Sequence, residues 1–277
     1  MIHMIHRSHL ILSILLSAAL TAPFAHSDDD DKAQGGDRPK ASSAEDKGGD
    51  TPAPKKEETK GAVLNLFAEG VKHWKVLDDF PSNGGIEKGD EEGIFRVGTG
   101  DPLSGVRYEG PEELPVTNYE FTVESRRTKG GDFFCAITFP VNSIKTCCTF
   151  VAGGWGGALT GISSIDGMDA ANNSTSTFHK YEKNAWHTFK IRVTPKELKV
   201  WQGKDAIVEL ELADRKISMR WGDIEYCQPF GLATYLSTGE FRNFKLRRLD
   251  EKPLPLKKKE EKDEKAKEQK EEATSEK

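Results

Sequence analysis

Apolar and polar residues alternate with a period of two along several stretches of the chain. The pattern is clear at 119–123, 189–193, 198–202 and 208–212, where Phe, Tyr, Ile, Val and Leu alternate with charged residues and Thr. Successive side chains of a strand point to opposite faces of a sheet. These stretches therefore predict antiparallel strands with one buried face and one face in water.

A central hairpin is predicted between Gly130 and Gly157. Apolar and β-branched residues fill 133–139 and 146–152, and Pro140, Asn142 and Ser143 lie between the two runs. Such runs favour strands, and the residues between them favour a turn.

The hairpin is followed by GGWGG, in which glycines surround Trp155. Trp155 plugs one end of the core, which is the more common place for a tryptophan, or it displays a flat ring on which a sugar can stack.

We find no long amphipathic helix between Ala62 and Leu249. Many short strands separated by turns predict an all-β sandwich, and about 190 residues suit one domain. The polar stretch from Gly156 to Asn184 is long for a loop inside a compact domain, which makes it a second candidate for a functional region.

The two ends of the chain have different compositions from the middle. Residues 1–27 combine Arg7 with an apolar run and small residues, as a secretory signal peptide does, so we expect an exported protein, periplasmic or extracellular. Residues 28–61 and 250–277 are charged and poor in apolar residues, which predicts a disordered linker and a disordered or weakly helical tail. No other segment is apolar enough to predict a membrane helix.

The formal net charge of -5, with no basic stripe and no aromatic-basic RNA motif, makes nucleic acid a poor candidate partner. The chain has four cysteines, Cys135, Cys147, Cys148 and Cys227. In an exported protein, one bridge from Cys135 or Cys227 to the adjacent pair is favoured, and four reduced core thiols are the alternative.

The C-terminal half, from WHTFKIRV to EFRNFKLRRL, resembles the bacterial 3-keto-disaccharide hydrolase family. The start of the folded region, LNLFAEGVKHWKV, resembles the start of that family. The residues that carry the resemblance are Leu66, Phe67, Trp74, Trp186, Gly203, Gly231, Leu232, Phe241, Arg242, Asn243, Phe244, Leu246 and Arg247.

The resemblance implies a concanavalin A-like jelly-roll sandwich and cleavage of a glycosidic bond in a 3-keto-disaccharide or related sugar. The chain departs from the family on the central strand. Family members commonly carry a polar Asn-Ser-Gly run there, whereas this chain has the apolar residues Phe133 to Ile137. Fold alone does not decide function.

Glycoside hydrolysis uses two carboxyl groups on either side of the scissile bond. Asp132, Asp166 and Asp169 are the candidate catalytic residues, and Glu240 is a further carboxylate at a strand. Each alone is more commonly a turn residue or a solvated charge.

The spacing of Asp166, Asp169 and Asn172 also allows a calcium site, because calcium takes carboxylate and carbonyl oxygens from a bent loop. The spacing is not that of an EF-hand. We therefore predict no cofactor, and calcium is the alternative that stays open.

Two hypotheses of function follow, both with carbohydrate as the partner. The first is an exported glycoside hydrolase that uses the candidate carboxylates. The second is a non-catalytic glycan-binding or scaffold module, in which Trp155 and Tyr235 are stacking platforms for the sugar. His179 is a further candidate for substrate binding, as a base or a metal ligand.

Overall fold

The computed structural model describes residues 62–77, 83–250, 252 and 254–257. The predicted signal peptide, the predicted linker and most of the predicted tail lie outside these residues. The described elements are β1 Val63–Asn65, β2 Trp74–Val76, β3 Ile86–Lys88, β4 Phe95–Val97, β5 Leu103–Tyr108, β6 Tyr119–Gly130, β7 Cys135–Ser143, β8 Thr146–Gly154, β9 Leu159–Ser163, β10 Thr177–Phe178, β11 His187–Val193, β12 Glu197–Gln202, β13 Asp205–Glu211, a 3₁₀ helix Asp223–Cys227, β14 Gly231–Tyr235 and β15 Ser237–Arg248.

The strands form two antiparallel sheets. The eight-stranded sheet has the order β13-β12-β11-β6-β15-β4-β3, with β1 beside β15. The seven-stranded sheet has the order β10-β9-β8-β7-β14-β5-β2. The chain crosses several times from one sheet to the other, for example from β4 to β5, β6 and β7 and again from β13 to β14 and β15, as in a jelly roll. The predicted all-β jelly-roll sandwich of antiparallel strands is confirmed.

The main core lies between the two sheets. Phe121 on β6 contacts Phe139 on β7 and Phe230 before β14, with ring centroids 5.4 Å apart in both pairs. Every second residue of β6 and of β11 points into this core, as the period of two in their sequences predicts.

The hairpin is confirmed as β7 and β8, which begin or end within a few residues of the predicted runs. The favoured disulfide is wrong, and for Cys135 the register of the hairpin shows why. Cys135 lies opposite Ala152, whereas Cys148 lies opposite Phe139, so these two thiols are separated along the hairpin. All four cysteines are buried and free, as the alternative stated.

Charged side chains cover the outer face of the eight-stranded sheet. Glu240 on β15 is 1 % exposed and accepts hydrogen bonds from Arg96 Nη2 and Arg126 Nε, each at 2.7 Å. The ring of Trp186 lies beneath the guanidinium groups of Arg126 and Arg242, at 4.5 and 4.1 Å. Glu240 is therefore a buried ion-pair partner on this sheet.

The described structure continues beyond Leu249, the predicted end of the domain. Leu256 forms an antiparallel bridge with Glu112, and the Lys257 N–H donates to the Pro111 carbonyl at 2.7 Å. Among the described residues, no helix has the length and apolar character needed to cross a membrane.

Candidate functional site: a groove on the seven-stranded sheet

A groove with a volume of about 410 Å³ lies on the outer face of the seven-stranded sheet. Successive side chains of a strand point to opposite faces of the sheet, so every second residue of β7 and β8 points away from the core. These outward side chains form the floor of the groove. These outward residues include Ala136 and Val151, which form a small apolar cluster with Leu103 and Ala233. Small side chains on the floor leave room for a ligand above them.

Trp155 forms part of the wall of this groove and is 43 % exposed. Its backbone has φ +48°, a conformation that is rare for a bulky residue and is found mostly where other contacts fix it. Arg127 contributes to that fixation by donating to the carbonyls of Gly157 at 3.4 Å and Asp132 at 3.3 Å. The interpretation of Trp155 as a core plug is wrong, because the four-residue turn between β8 and β9 carries the ring out of the sandwich.

Asp132 lines the groove beside Trp155. Its Oδ1 accepts a hydrogen bond from the Phe133 N–H at 2.7 Å, and its Oδ2 accepts one from the Gly156 N–H at 3.0 Å. Both carboxylate oxygens are thus directed at backbone donors. Through these two hydrogen bonds, Asp132 holds the Trp155 turn against the start of the hairpin.

Phe133 and Tyr235 form an aromatic part of the groove. Their ring centroids are 5.5 Å apart, and the Tyr235 N–H donates to the Phe133 carbonyl at 3.0 Å. The structure therefore brings three of the predicted site residues, Asp132, Trp155 and Tyr235, to one groove.

The segment of residues 213–222, called the strap here, leads from β13 to the 3₁₀ helix. It is tied to the chain after β9 by backbone hydrogen bonds in both directions between Ser218 and Ser164, at 2.8 and 3.2 Å. Asp166 strengthens this contact, because its Oδ1 accepts from the Lys216 N–H and its Oδ2 from Arg215 Nη1, each at 2.8 Å. These two donors, the backbone one first, lower the pKa of Asp166.

Asp166 therefore holds the strap in place and does not line the groove. Asp169 is also outside the lining, although it reaches the groove through Arg220. Its Oδ1 accepts from the Ala171 N–H at 3.1 Å and from Asn172 Nδ2 at 2.7 Å, whereas its Oδ2 lies 3.9 Å from Arg220 Nη1.

The strap brings Arg220 and Trp221 to the groove. The guanidinium of Arg220 lies 5.7 Å from the centroid of the Trp155 ring. Trp221 is 90 % exposed, the largest exposure among the large apolar side chains of the described residues. Asp223 and Ile224, at the start of the 3₁₀ helix, complete this side of the groove.

Sequence reasoning missed these strap and helix residues, because 213–229 shows no strand or helix period. One signal was present: Trp221 is followed by a glycine, as Trp155 is.

Ser163 is a polar group of the groove that also escaped prediction. It is 4 % exposed, and its Oγ has no hydrogen-bond partner among the described residues. A buried hydroxyl without a partner costs about 1 to 3 kcal/mol, so Ser163 can accept or donate a hydrogen bond to a ligand or water that reaches the floor.

His179 lies away from the groove, beside β10. Its Nε2 is 3.4 Å from Thr177 Oγ1, and its ring centroid is 6.2 Å from that of Tyr181. Burial lowers the pKa of His179. The predicted sugar contact of His179 therefore has no counterpart in the groove.

The carboxylates proposed as calcium ligands accept hydrogen bonds from protein groups. Asp166 pairs with Arg215, and Asp169 pairs with backbone and amide donors of its own loop. Within the described ranges, no group of three or more His, Cys, Asp or Glu side chains converges as metal ligands do. The calcium alternative gains no support from this geometry.

No family model matches the sequence, and no curated protein matches it. Among solved structures, the chain is similar to a carbohydrate-binding module of Bacillus subtilis, with 12% identity, 63% of this chain and 95% of the other covered, and a TM-score of 0.39. It is also similar to a structure described as a putative glycosyl hydrolase of Parabacteroides distasonis, with 12% identity, 72% and 98% covered, and a TM-score of 0.44. A β-glucanase of Bacillus licheniformis shows 9% identity, 63% and 91% covered, and a TM-score of 0.41. Similarities this distant do not establish the function, which has to be argued from the residues of the groove.

Proposed function

We propose that this chain is a carbohydrate-binding protein and that the groove on its seven-stranded sheet holds the sugar. The observation that carries the proposal is Trp155, a large ring held exposed at a concave site on a backbone conformation that its neighbours enforce. Backbone outliers of this kind cluster at functional sites.

The other lining residues suit the same ligand. A sugar ring has an apolar face of C–H groups and a rim of hydroxyls. Trp155, Tyr235 and Trp221 offer aromatic surface to the first, and Ser163, Arg220 and Asp223 offer polar groups to the second. An apolar pocket with a few convergent polar groups is the usual form of a small-molecule site.

Calorimetry with a panel of oligosaccharides tests the proposal, using Trp155→Ala and Phe178→Ala as a matched pair. Phe178 is 72% exposed and does not line the groove, so it controls for the loss of an exposed ring. We expect Trp155→Ala to weaken binding about tenfold, since an aromatic contact with its buried area contributes about 1 to 2 kcal/mol. Phe178→Ala should bind as the wild type does. Absence of binding to every member of the panel would refute the proposed function.

Hydrolysis of a glycosidic bond, in a 3-keto-disaccharide or a related sugar, is the second candidate function. The observation in its favour is that two carboxylates, Asp132 and Asp223, line the groove, and such a pair is what glycoside hydrolysis requires. The observation against it is that both oxygens of Asp132 already accept backbone hydrogen bonds, which directs them away from a substrate oxygen.

Release of monosaccharide from a 3-keto-disaccharide, lost in both Asp132→Asn and Asp223→Asn, would establish the hydrolase. Binding without turnover would leave the binding function alone. Export, predicted from residues 1–27, would place either activity outside the cytoplasm.

A further inference from the structure

We infer that the sugar bound in this groove carries a carboxylate, as uronic acids do, and that Arg220 is the residue that recognises it. The inference rests on the proposed function, because it names the class of sugar for the same groove. It is drawn from the surroundings of Arg220 on the strap.

The guanidinium of Arg220 is placed in the groove with most of its donors available. Its side chain is 58% exposed, and the one ion pair that it makes with a described residue, Asp169, is long at 3.9 Å. It lies over the Trp155 ring, 5.7 Å from the centroid, and the exposed part of that ring is the proposed stacking surface. A sugar stacked on Trp155 would therefore present its substituents within reach of Arg220. A guanidinium fork matches a carboxylate with two parallel hydrogen bonds, which is the strongest pairing it makes.

The loop that carries Asp169 is built so that Arg220 can change partners. Oδ1 of Asp169 maintains the loop through Ala171 and Asn172, and only Oδ2 faces Arg220. A ligand carboxylate can thus replace Oδ2 without any loss of the hydrogen bonds that keep the loop in shape.

The groove as a whole is not basic, since Asp132 and Asp223 also line it. Long-range attraction of an anion is therefore weak, and the selectivity has to come from short hydrogen bonds at Arg220. Two parallel hydrogen bonds to a carboxylate need the planar guanidinium of an arginine. Simple charge attraction does not, since a lysine would also provide it.

The test compares short oligomers of galacturonate and of alginate with the same oligomers after reduction of their carboxylates to alcohols. Binding of each pair to the full chain is measured by calorimetry. We expect the acidic member of at least one pair to bind at least about tenfold more tightly than its reduced counterpart, the lower limit for a hydrogen bond to a charged group.

Two variants of Arg220 and one of Asp169 make the test specific. Arg220→Gln and Arg220→Lys should both lose the preference for the acidic oligomer, so that each variant binds the acidic and the reduced oligomer with similar affinity. Asp169→Asn keeps the loop oxygen and removes the competing charge, so it should bind the acidic oligomer several-fold more tightly. Thermal unfolding of each variant checks that the fold is intact.

Equal affinity for the acidic and reduced oligomers, or tighter binding of the reduced ones, would overturn the inference and leave the proposed function in place. A preference for acidic oligomers that Arg220→Gln retains would also overturn it. If no oligomer of either kind binds and the wider panel is silent too, the proposed function itself is refuted.

Discussion

Replacement of Glu240 by Gln should destabilise the sandwich strongly and leave sugar binding unchanged. The Glu240 side chain is 2% exposed and accepts three hydrogen bonds from two arginines: Arg96 Nε at 3.0 Å, Arg96 Nη2 at 2.7 Å and Arg126 Nε at 2.7 Å. The amide of Gln would turn a donor toward these donors and leave both guanidinium groups without their buried counter-charge.

Removal of one partner from a buried ion pair costs about 3 to 5 kcal/mol. Arg96 and Arg126 are 24% and 19% exposed, and each also has an exposed carboxylate nearby, so water and these carboxylates compensate part of the loss. We therefore expect the lower end, about 3 kcal/mol, in the free energy of unfolding.

Urea unfolding measures this as a lower midpoint at an unchanged slope. Glu124→Gln is the matched control, because Glu124 pairs with Arg242 at 2.8 Å on the same sheet but is 23% exposed. The control should lose about 1 kcal/mol or less. If Glu240→Gln were no less stable than Glu124→Gln, burial of the pair would not have the energetic weight assigned to it here. A loss of sugar affinity in Glu240→Gln at unchanged stability would contradict its placement away from the groove.

Three further predictions concern the turn, the strap and the thiols. Gly157 has φ +106° and a β-carbon there would lie 2.9 Å from a backbone oxygen, whereas at Gly156, with φ +89°, it would meet nothing within 4 Å. Gly157→Ala should therefore lose about 1 to 3 kcal/mol more in urea unfolding than Gly156→Ala, and bind sugar more weakly; equal losses would contradict the packing of the turn. The pKa of Asp166 is lowered by folding, so its contribution to stability is present at neutral pH and is lost as the pH falls through the folded-state value. Acid unfolding followed by circular dichroism should show a smaller loss of stability below about pH 4 in Asp166→Asn than in the wild type, and identical curves would contradict the pairing with Arg215. Burial raises the pKa of Cys147 to about 11, so a thiol reagent at pH 8, about 3 units lower, should label Cys147 only after unfolding, and rapid labelling of the native chain would contradict its burial.

The sandwich could be predicted from local patterns, because a period of two survives wherever a strand has one buried face. β6, β11, β12 and β13 were visible for this reason, whereas the β7–β8 hairpin, whose strands are buried on both faces, was visible as two apolar and β-branched runs. The disulfide could not be judged in the same way, since it depends on the register between strands.

The groove was predicted only in part. Trp155, Tyr235 and Asp132 stood out because glycines or strand ends flank them. Arg220 and Trp221 belong to the strap, whose position depends on hydrogen bonds to residues about 50 positions earlier in the chain, such as that from the Lys216 N–H to Asp166. The same contact ties Asp166 to the strap. The sequence does not indicate this role, because a carboxylate in a polar loop shows no pattern that identifies its partner.

The groove is assembled from parts of the chain that are far apart, from Leu103 on β5 to Tyr235 on β14, with the Trp155 turn and the strap between them. No single hairpin or loop contains all its walls, so ligand binding is coupled to the folding of the sandwich. A ligand that binds only the assembled groove must raise the unfolding temperature of the whole sandwich. At 100 times its dissociation constant it would add about 2.7 kcal/mol to the stability. Thermal shift alone can therefore rank sugars as ligands of this chain, whether or not the chain catalyses a reaction on them.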